Sequence, residues 1–492
     1  MISFISMILQ TPFFPQMRHL TGGRAPQAQA EKVGAALARL RASSLSQLEA
    51  LFERLLAPAC FVKAKAGPNS RERVFGLRVT FWAFLFQVLH RGSQRLAVRE
   101  VQGQLHRRGK RRISALTTAY SKALGRLPAS LLADLLGRVA GRLEAAAPSI
   151  PQAHGRPVKV VDATSAGLPD TPELQKRFPQ PGGQKPGCGF PVVQLTGLFD
   201  LGSGALLAFA STCINAHESV VFLHELRHKL RRGDIVLADR AHGSFAAMAL
   251  LAQQGVDGLF RLHQARPQQM RRGRRLGKND RLLVWDKPQR PAHLTPEEWA
   301  GLPERLVVRQ VKFHVAPKGF RTKEVILVTT LLDAKLFTLA DLAALYQRRW
   351  QIELCFRDLK TTMGMEVLKG KSPASVDKEI TMHLIAHNLV RFIMLEAACA
   401  CLVELGALSF KGSLDAIRRW SGVIDACRRQ PRRKQAAIEE MLRDIAADRL
   451  PRRPNRCEPR VRKRRMKKYK LMIRPRAQMR REKSLPLHEN AA

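Results

Sequence analysis

One segment of the sequence places a carboxylate among cations and an aromatic hydroxyl at helical spacing. It holds Tyr346, Arg349, Glu353 and Lys360, which fall within about a 60° arc at about 100° per residue of an α-helix. Its apolar residues gather on an adjoining arc that would face a core: Leu345, Ile352, Phe356, Leu359 and Met363. Such spacing is more commonly an i,i+4 charge pair on an amphipathic helix, so the segment alone does not establish chemistry.

Two aspartates follow short apolar runs. The run 158–161 ends at Asp162 and the run 235–238 ends at Asp239, and both runs predict buried strands. Each aspartate alone is more often a turn or cap residue, but functional groups collect at the carboxyl ends of strands in open α/β sheets. Two such aspartates and Glu353 form an oxygen ligand set that Mg²⁺ prefers. Two ions about 4 Å apart can activate a hydroxyl for phosphoryl displacement.

The elements that must position these residues follow an α/β order. Residues 158–262 predict strand, hairpin, helix, strand, helix and strand, which is a sheet carrying an antiparallel hairpin. The polar, proline-rich stretch after it predicts a β-rich insertion, because loops this long are uncommon. Further strands are predicted at 282–285, 307–315 and 325–332, and helices at about 339–363, 376–405, 414–427 and 433–447.

The first 150 residues predict helices with a basic surface. Between Phe61 and Arg126 there are fifteen Lys and Arg against two acids. Ser93 and Ser114 can each cap a helix, one to about His106 and one to about Leu127, on either side of a basic turn. This is a helix-turn-helix arrangement, with Thr117, Thr118, Tyr120 and Lys122 on its second helix. The alternative is a helical bundle with a solvated basic face.

The composition indicates a polyanion as partner. The 492 residues carry a formal charge of +44 with 45% hydrophobic residues, which is enough for a folded core. Nucleic acid is the first candidate and an anionic membrane surface the second. Sixteen Lys and Arg between Arg449 and Arg481, against one acid, predict an arm that neutralises phosphates.

Other sequence features exclude several classes of protein. No apolar run reaches the roughly 20 residues of a membrane span, and the eight cysteines include no C-x-x-C pair. The first residues make a poor signal peptide, and translation could begin at Met17. No phosphate-binding glycine loop is present, so no nucleotide cofactor is implied. We expect a cytoplasmic, nucleoid-associated protein.

The motif Tyr346-x2-Arg349-x3-Glu353-x6-Lys360 resembles the signature of the "IS-four" group of insertion-sequence transposases. The sequences VVDATS around Asp162 and LADRAHGSF around Asp239 resemble the two aspartate motifs of that family. Ala163 and the pair Ala241-His242 depart from the family pattern, which affects only the local turn geometry expected there. The resemblance implies an RNase H-like DDE fold, α/β in class, with a β-rich insertion before the glutamate helix.

By this resemblance, Asp162, Asp239 and Glu353 would be catalytic and would hold two Mg²⁺ or Mn²⁺ ions. Residues implied to contact DNA phosphates are Tyr346, Arg349 and Lys360, with Arg240 as a weaker candidate. The enzyme would cleave double-stranded DNA at the ends of its element and transfer the strands to target DNA, as a homodimer. A tryptophan of the insertion, Trp285 or Trp299, could stack on a flipped base, or both could be core residues.

The resemblance and the composition together predict four regions. They are a helical DNA-binding domain at 1–150 with the helix-turn-helix segment at about 93–127, an RNase H-like core at 155–262 and 325–400, an insertion at 263–324, and C-terminal helices with a basic tail at 401–492. Two alternatives remain open: a structure-selective nuclease of the same fold, and an inactive domesticated DNA-binding protein. His217, Glu218, His383 and His387 are interpreted as capping, positioning or packing residues.

Overall fold

A computed structural model describes residues 45–62, 65–71, 73–107, 114–147, 151–314, 324–451 and 471–484. The predicted basic turn at 107–112, most of the basic tail and the first 44 residues lie outside these ranges, apart from Arg107 at the end of a helix. Across the described ranges, no helix combines the length and the apolar character that crossing a membrane requires.

Among the described residues, five α-helices precede the first strand: α1 (Leu45–Phe52), α2 (Leu77–Leu89), α3 (Gln94–Arg107), α4 (Thr118–Arg126) and α5 (Ala129–Ala146). The helices predicted after Ser93 and Ser114 are therefore present, but the second begins at Thr118, four residues later than its predicted cap. Tyr120 does not face solvent as a DNA-reading residue would. It is fully buried and its hydroxyl donates to Oε1 of Gln87 at 3.1 Å, so it belongs to the core between α2 and α4.

The first half of the sheet region alternates strands with short helices. Its elements are β1 (Val158–Gly167), α6 (Pro172–Arg177), β2 (Val192–Asp200), β3 (Leu206–Cys213), α7 (Glu218–Val221), β4 (Ile235–Ala238), α8 (Phe245–Gln253) and β5 (Asp257–Arg261). Helix α7 continues into a π-helical turn at Phe222–Leu226 and a 3₁₀ turn at Arg227–Lys229, which together fill the predicted helix 217–230.

The second half contains the predicted β-rich stretch and the helices after it. Its elements are β6 (Arg274–Gly277), β7 (Asp280–Asp286), α9 (Pro296–Ala300), β8 (Arg305–His314), β9 (Glu324–Thr329), α10 (Leu339–Gln347), α11 (Gln351–Arg357), α12 (Pro373–Ala400), α13 (Phe410–Ala426), α14 (Pro431–Ala447) and α15 (Arg476–Ser484). The predicted strands at 282–285, 307–315 and 325–332 correspond to β7, β8 and β9.

The nine strands of the described ranges form one mixed sheet in the order β3-β2-β1-β4-β5-β9-β8-β7-β6. Strands β1, β4 and β5 run parallel, and the other pairings are antiparallel. The expected α/β class is therefore confirmed. The strands predicted for the insertion do not form a separate sheet, because β8 pairs with β9 along six residues and extends the central sheet.

Helices cover both faces of the central strands. In β4, Ile235 and Leu237 enter the core shared with α2, α5 and α12, whereas Val236 and Ala238 enter the core shared with α8. A parallel strand buried on both faces needs apolar residues at every position, which explains the uninterrupted run that predicted it. The residue after such a run is the first that can be polar, and here it is Asp239.

Candidate active site

Strand pairing brings the two aspartates level with each other. Strands β1 and β4 pair in parallel up to Val160 and Leu237, and Asp162 and Asp239 each lie two residues further on. Adjacent strands are about 4.8 Å apart, so the two carboxylates share one edge of the sheet. The prediction that Asp162 ends its strand is wrong, because β1 continues to Gly167 in antiparallel pairing with β2. Asp162 lies instead where the parallel pairing ends.

The glutamate segment is not one continuous α-helix. Helix α10 is followed by a 3₁₀ turn at Arg348–Trp350, then α11, then a π-helical turn at Asp358–Thr362. The predicted apolar arc is confirmed, since all five of its side chains are buried: Leu345, Ile352, Phe356, Leu359 and Met363. Phe356 packs edge-on against Phe199 of β2, with ring centroids 5.2 Å apart. This contact holds the polar arc over the carboxyl edge of the parallel strands.

Arg349 connects the segment to the first aspartate. Its Nη1 lies 2.9 Å from Oδ2 of Asp162, and its Nη2 lies 3.6 Å from Oε1 of Glu353. Its guanidinium also lies over the ring of Tyr346, 5.9 Å from the centroid. Burial would lower the pKa of Arg349, but Tyr346 and the carboxylates of Asp162, Glu353 and Asp239 raise it, so the guanidinium stays charged.

Asp239 is oriented by its own turn. It caps a single 3₁₀ turn, and its Oδ1 accepts hydrogen bonds from the backbone N–H of Ala241 at 2.8 Å and from Nδ1 of His242 at 3.1 Å. Burial alone would raise the pKa of Asp239, but the bond and charge of His242, the Ala241 N–H and Arg349 together lower it. The carboxylate is therefore ionised, with Oδ2 facing away from these two donors.

Asp162 and Tyr346 have raised pKa values for a common reason. Burial raises the pKa of Asp162, the charge of Asp239 adds to this, and Arg349 and the Ala163 N–H oppose it. Burial likewise raises the pKa of Tyr346, which stays a neutral hydroxyl. The mutual repulsion of Asp162 and Asp239 is what a bound cation would relieve.

Lys360 faces the same cleft as the acids, whereas Arg240 has another partner. Asp162, Glu353 and Lys360 line one open cleft together with Thr164. Arg240 is exposed and its Nη1 donates to Oε1 of Gln264 at 2.9 Å. The roles of these residues in binding phosphates stay predictions.

Two residues that the sequence did not single out as ligands lie beside Asp239. Glu218, Asp239 and His242 each offer one ligand atom within 4.8 Å of the others. Glu218 was interpreted as a cap or positioning residue, and His242 was noted only as a departure from a family pattern. Glu218 is close to Asp239 because α7 packs over the end of β4. The two residues are 21 positions apart in the sequence, and nothing in the sequence pattern predicts this contact.

The other aromatic and histidine candidates are packing residues in this structure. Trp285 is buried under the guanidinium of Arg266, whose Cζ is 3.9 Å from the ring centroid. Trp299 packs against Phe245 with centroids 6.0 Å apart. The predicted packing role of two helix histidines agrees with their burial in α12, and they are His383 and His387.

The donor set fits divalent metal ions. Asp162 and Glu353 line one cleft, and Asp239 lies near enough to Asp162 to raise its pKa. Hard oxygen ligands of this kind suit Mg²⁺ and Mn²⁺. The oriented carboxylate of Asp239 is what metal sites require of their ligands, since ligating carboxylates are themselves hydrogen-bonded.

The chain is similar in sequence to known transposases. Residues 153–389 match the family model described as "Transposase DDE domain". The curated protein "Transposase InsG for insertion sequence element IS4" of Escherichia coli (strain K12) is 28% identical over 323 residues, covering 64% of this chain and 69% of the relative. A cryo-EM structure of the piggyBac transposase synaptic complex with hairpin DNA superposes with a TM-score of 0.40 at 9% identity, covering 77% of this chain and 78% of that one.

The matched domain and this relative support a DDE-type DNA transposase, an enzyme class that acts on DNA and uses divalent metal ions. Within that class, the similarity to the transposase of an IS4 element supports a relationship to the IS4 group. The expectation drawn from the motif around Glu353 is therefore confirmed.

Proposed function

We propose that this transposase cleaves the ends of its own insertion sequence and joins them to target DNA by cut-and-paste transposition. The observation that carries the proposal is Arg349, which links Asp162 to Glu353 at the edge where Asp239 emerges. Arg349 thus lies between two of the three acids, and Asp239 lies near enough to Asp162 to raise its pKa. We further propose that the acids hold two Mg²⁺ or Mn²⁺ ions.

The fold proposed for the catalytic core is RNase H-like. Its support is the strand order β3-β2-β1-β4-β5, in which a hairpin precedes two parallel crossovers. We propose residues 155–262 and 325–400 as this core and 263–324 as its insertion. Residues 1–150 are proposed as the DNA-binding domain and 401–492 as C-terminal helices with a basic tail.

In this proposal, some side chains of the site bind phosphates, and the metal ions that the acids hold activate the attacking hydroxyl. When bound, the metal ions would activate the attacking hydroxyl and stabilise the leaving oxygen. Arg349 would hold a phosphate through two parallel hydrogen bonds, and Lys360 would act as a point charge. Tyr346, neutral because burial raises its pKa, would donate its hydroxyl to a phosphate oxygen. Phosphodiester exchange conserves the bond energy, so no nucleotide is required.

The assay that tests this function uses labelled element ends, Mg²⁺ and a target plasmid. We expect end cleavage and a joined product with the parent protein. Asp162→Ala should bind DNA but cleave about a thousandfold or more slowly, because a lost metal ligand removes several kcal/mol of transition-state stabilisation. Asp170→Ala, an exposed aspartate just past the same strand, is the matched control and should behave like the parent.

The remaining outcomes separate the alternatives. Cleavage without joining would identify a nuclease, and binding without cleavage by the parent would identify an inactive DNA-binding relative. Equal activity of Asp162→Ala and the parent would contradict the catalytic assignment. We also propose a homodimer that pairs two ends, which the mass of the complex with end DNA tests directly.

A further inference from the structure

The cluster of Glu218, Asp239 and His242 has the composition of a cation site of its own. One ligand atom from each residue lies within 4.8 Å of the other two. Two ligands at about 2.1–2.2 Å from one ion lie at most about 4.4 Å apart, so small side-chain rotations bring these atoms to ligand distance. The cluster shares Asp239 with the proposed catalytic acids, whereas Arg349 forms its ion pairs with Asp162 and Glu353, which are not members of the cluster.

Glu218 differs from Asp162 and Glu353 in its cationic partners. Asp162 and Glu353 share the guanidinium of Arg349. Within the described part of the chain, Glu218 forms no ion pair with Lys or Arg, although it lies beside the carboxylate of Asp239. A divalent cation would be stabilised where two carboxylates meet without such a partner.

His242 also carries a ring nitrogen that is left unsatisfied. Its side chain is 1% exposed, and its Nε2 is buried without a hydrogen-bond partner in the described structure. A buried polar atom left unsatisfied costs about 1–3 kcal/mol. The imidazole is held at Asp239 through Nδ1 and packs edge-on against Phe222, with centroids 5.7 Å apart. Its position beside two carboxylates is therefore built into the fold.

We propose that Glu218, Asp239 and His242 bind one divalent cation in the protein without DNA, with Glu218 as a fourth acidic residue of the metal centre. This inference rests on the proposed metal-dependent function and deepens it. A nitrogen ligand favours transition metals over Mg²⁺, whereas the two carboxylates suit Mn²⁺. The cluster therefore prefers Mn²⁺ to Mg²⁺.

The test measures Mn²⁺ bound to the full-length protein without DNA, by electron paramagnetic resonance of free Mn²⁺ with Mg²⁺ as competitor. We expect the parent to bind an ion that Mg²⁺ displaces poorly, and Glu218→Gln to bind it at least about tenfold more weakly. Glu225→Gln is the matched control, because it removes an exposed carboxylate seven residues along the same helical segment. It should bind Mn²⁺ like the parent.

A spectroscopic readout tests the nitrogen ligand without requiring a buried histidine to be replaced. Electron spin echo modulation of the bound Mn²⁺ should show coupling to an imidazole ¹⁴N, and its absence would overturn the proposal. So would a parent that binds no Mn²⁺, or equal affinities for the parent and Glu218→Gln. Failure of end cleavage would contradict the proposed function and not the cation site. Asp162→Asn should still bind this ion, because Asp162 is outside the cluster.

Discussion

Arg349 connects the acidic residues of the candidate site. It places one guanidinium between a strand carboxylate and a helix carboxylate, at 2.9 Å from Asp162 and 3.6 Å from Glu353. In the protein without metal or DNA it supplies the positive charge that these acids need. The same planar group is suited to bidentate phosphate binding. Under the proposed function, Arg349 would exchange these partners when metal ions and DNA bind.

This exchange predicts how Arg349 variants bind metal. Arg349→Ala removes the competing cation, so Mn²⁺ should bind about fivefold to tenfold more tightly without DNA, while end cleavage falls. Arg349→Lys keeps the charge and should bind Mn²⁺ like the parent, but it should cleave about tenfold or more slowly because the fork is lost. Calorimetric titration with Mn²⁺ and the cleavage rate measure the two effects. Weaker Mn²⁺ binding by Arg349→Ala would show that Arg349 does not compete with metal.

At this scale the sequence predicted some contacts of the candidate site and missed others. The contact between Arg349 and Glu353 follows from i,i+4 spacing, which any helical segment would produce. The contact between Arg349 and Asp162 joins residues 187 positions apart, and only the strand-end argument suggested it. Glu218 and His242 gave no such signal, because a loop and a short helix bring them to Asp239.

In the segment that carries Glu353, the hydrophobic pattern predicted which side chains are buried but not the type of helix. The three residues of the 3₁₀ turn advance about 120° each instead of about 100°, which changes the phase by only about 60° over the whole turn. The hydrophobic arc tolerates that change, so the pattern predicted a continuous helix. The interruption lies at Arg348–Trp350 and a π-helical turn follows α11. π-Helical turns are frequent at functional sites.

Strand β1 was predicted too short for a similar reason. Residues 163–167 read Ala-Thr-Ser-Ala-Gly, and small and polar residues do not indicate a strand. Pairing with β2 continues through nine residue pairs and overrides that local preference. The chain after the glutamate segment reinforces it, because Gly364 reverses direction at a φ of +81° and Glu366 O then accepts from Gly167 N at 2.9 Å.

The π-helical turn also contains a buried acid with a measurable effect on stability. Burial raises the pKa of Asp358 from 3.8 to about 6, although Arg357 and Arg391 oppose it. Between these values the folded protein binds more protons than the unfolded chain, so the free energy of unfolding falls as the pH rises from about 4 to 6. The full loss is about 3 kcal/mol and persists above pH 7.

Asp358→Asn should therefore stabilise the protein at pH 8 by up to about 3 kcal/mol and by far less at pH 4, where the folded carboxyl is already neutral. Urea unfolding at the two pH values measures the difference. Asp170→Asn, at an exposed position, should show no such dependence. A stabilisation that is equal at both pH values would mean that ionisation of Asp358 is not its cause.

At the scale of the whole molecule, positive charge is the dominant property. The net charge of +44 is spread along the chain, and its densest part is the stretch 462–470, where seven of nine residues are Lys or Arg. Under the proposed function, only a few cations in the cleft would hold the scissile phosphate. Most of the surplus is therefore available for contacts that follow the DNA backbone without reading its sequence.

The tail should therefore control the salt dependence of DNA binding rather than the chemistry. Each phosphate neutralised contributes about −0.9 to the slope of log K against log salt. Replacing the seven Lys and Arg of 462–470 by Gln should make the slope less steep by up to about six, measured by fluorescence anisotropy on duplex DNA. A scrambled 462–470 with the same composition should keep the parent slope, because neutralisation depends on charge and not on order. In the Gln variant, cleavage of DNA that is already bound should be unchanged. An unchanged slope in this variant would assign the phosphate contacts to other parts of the chain.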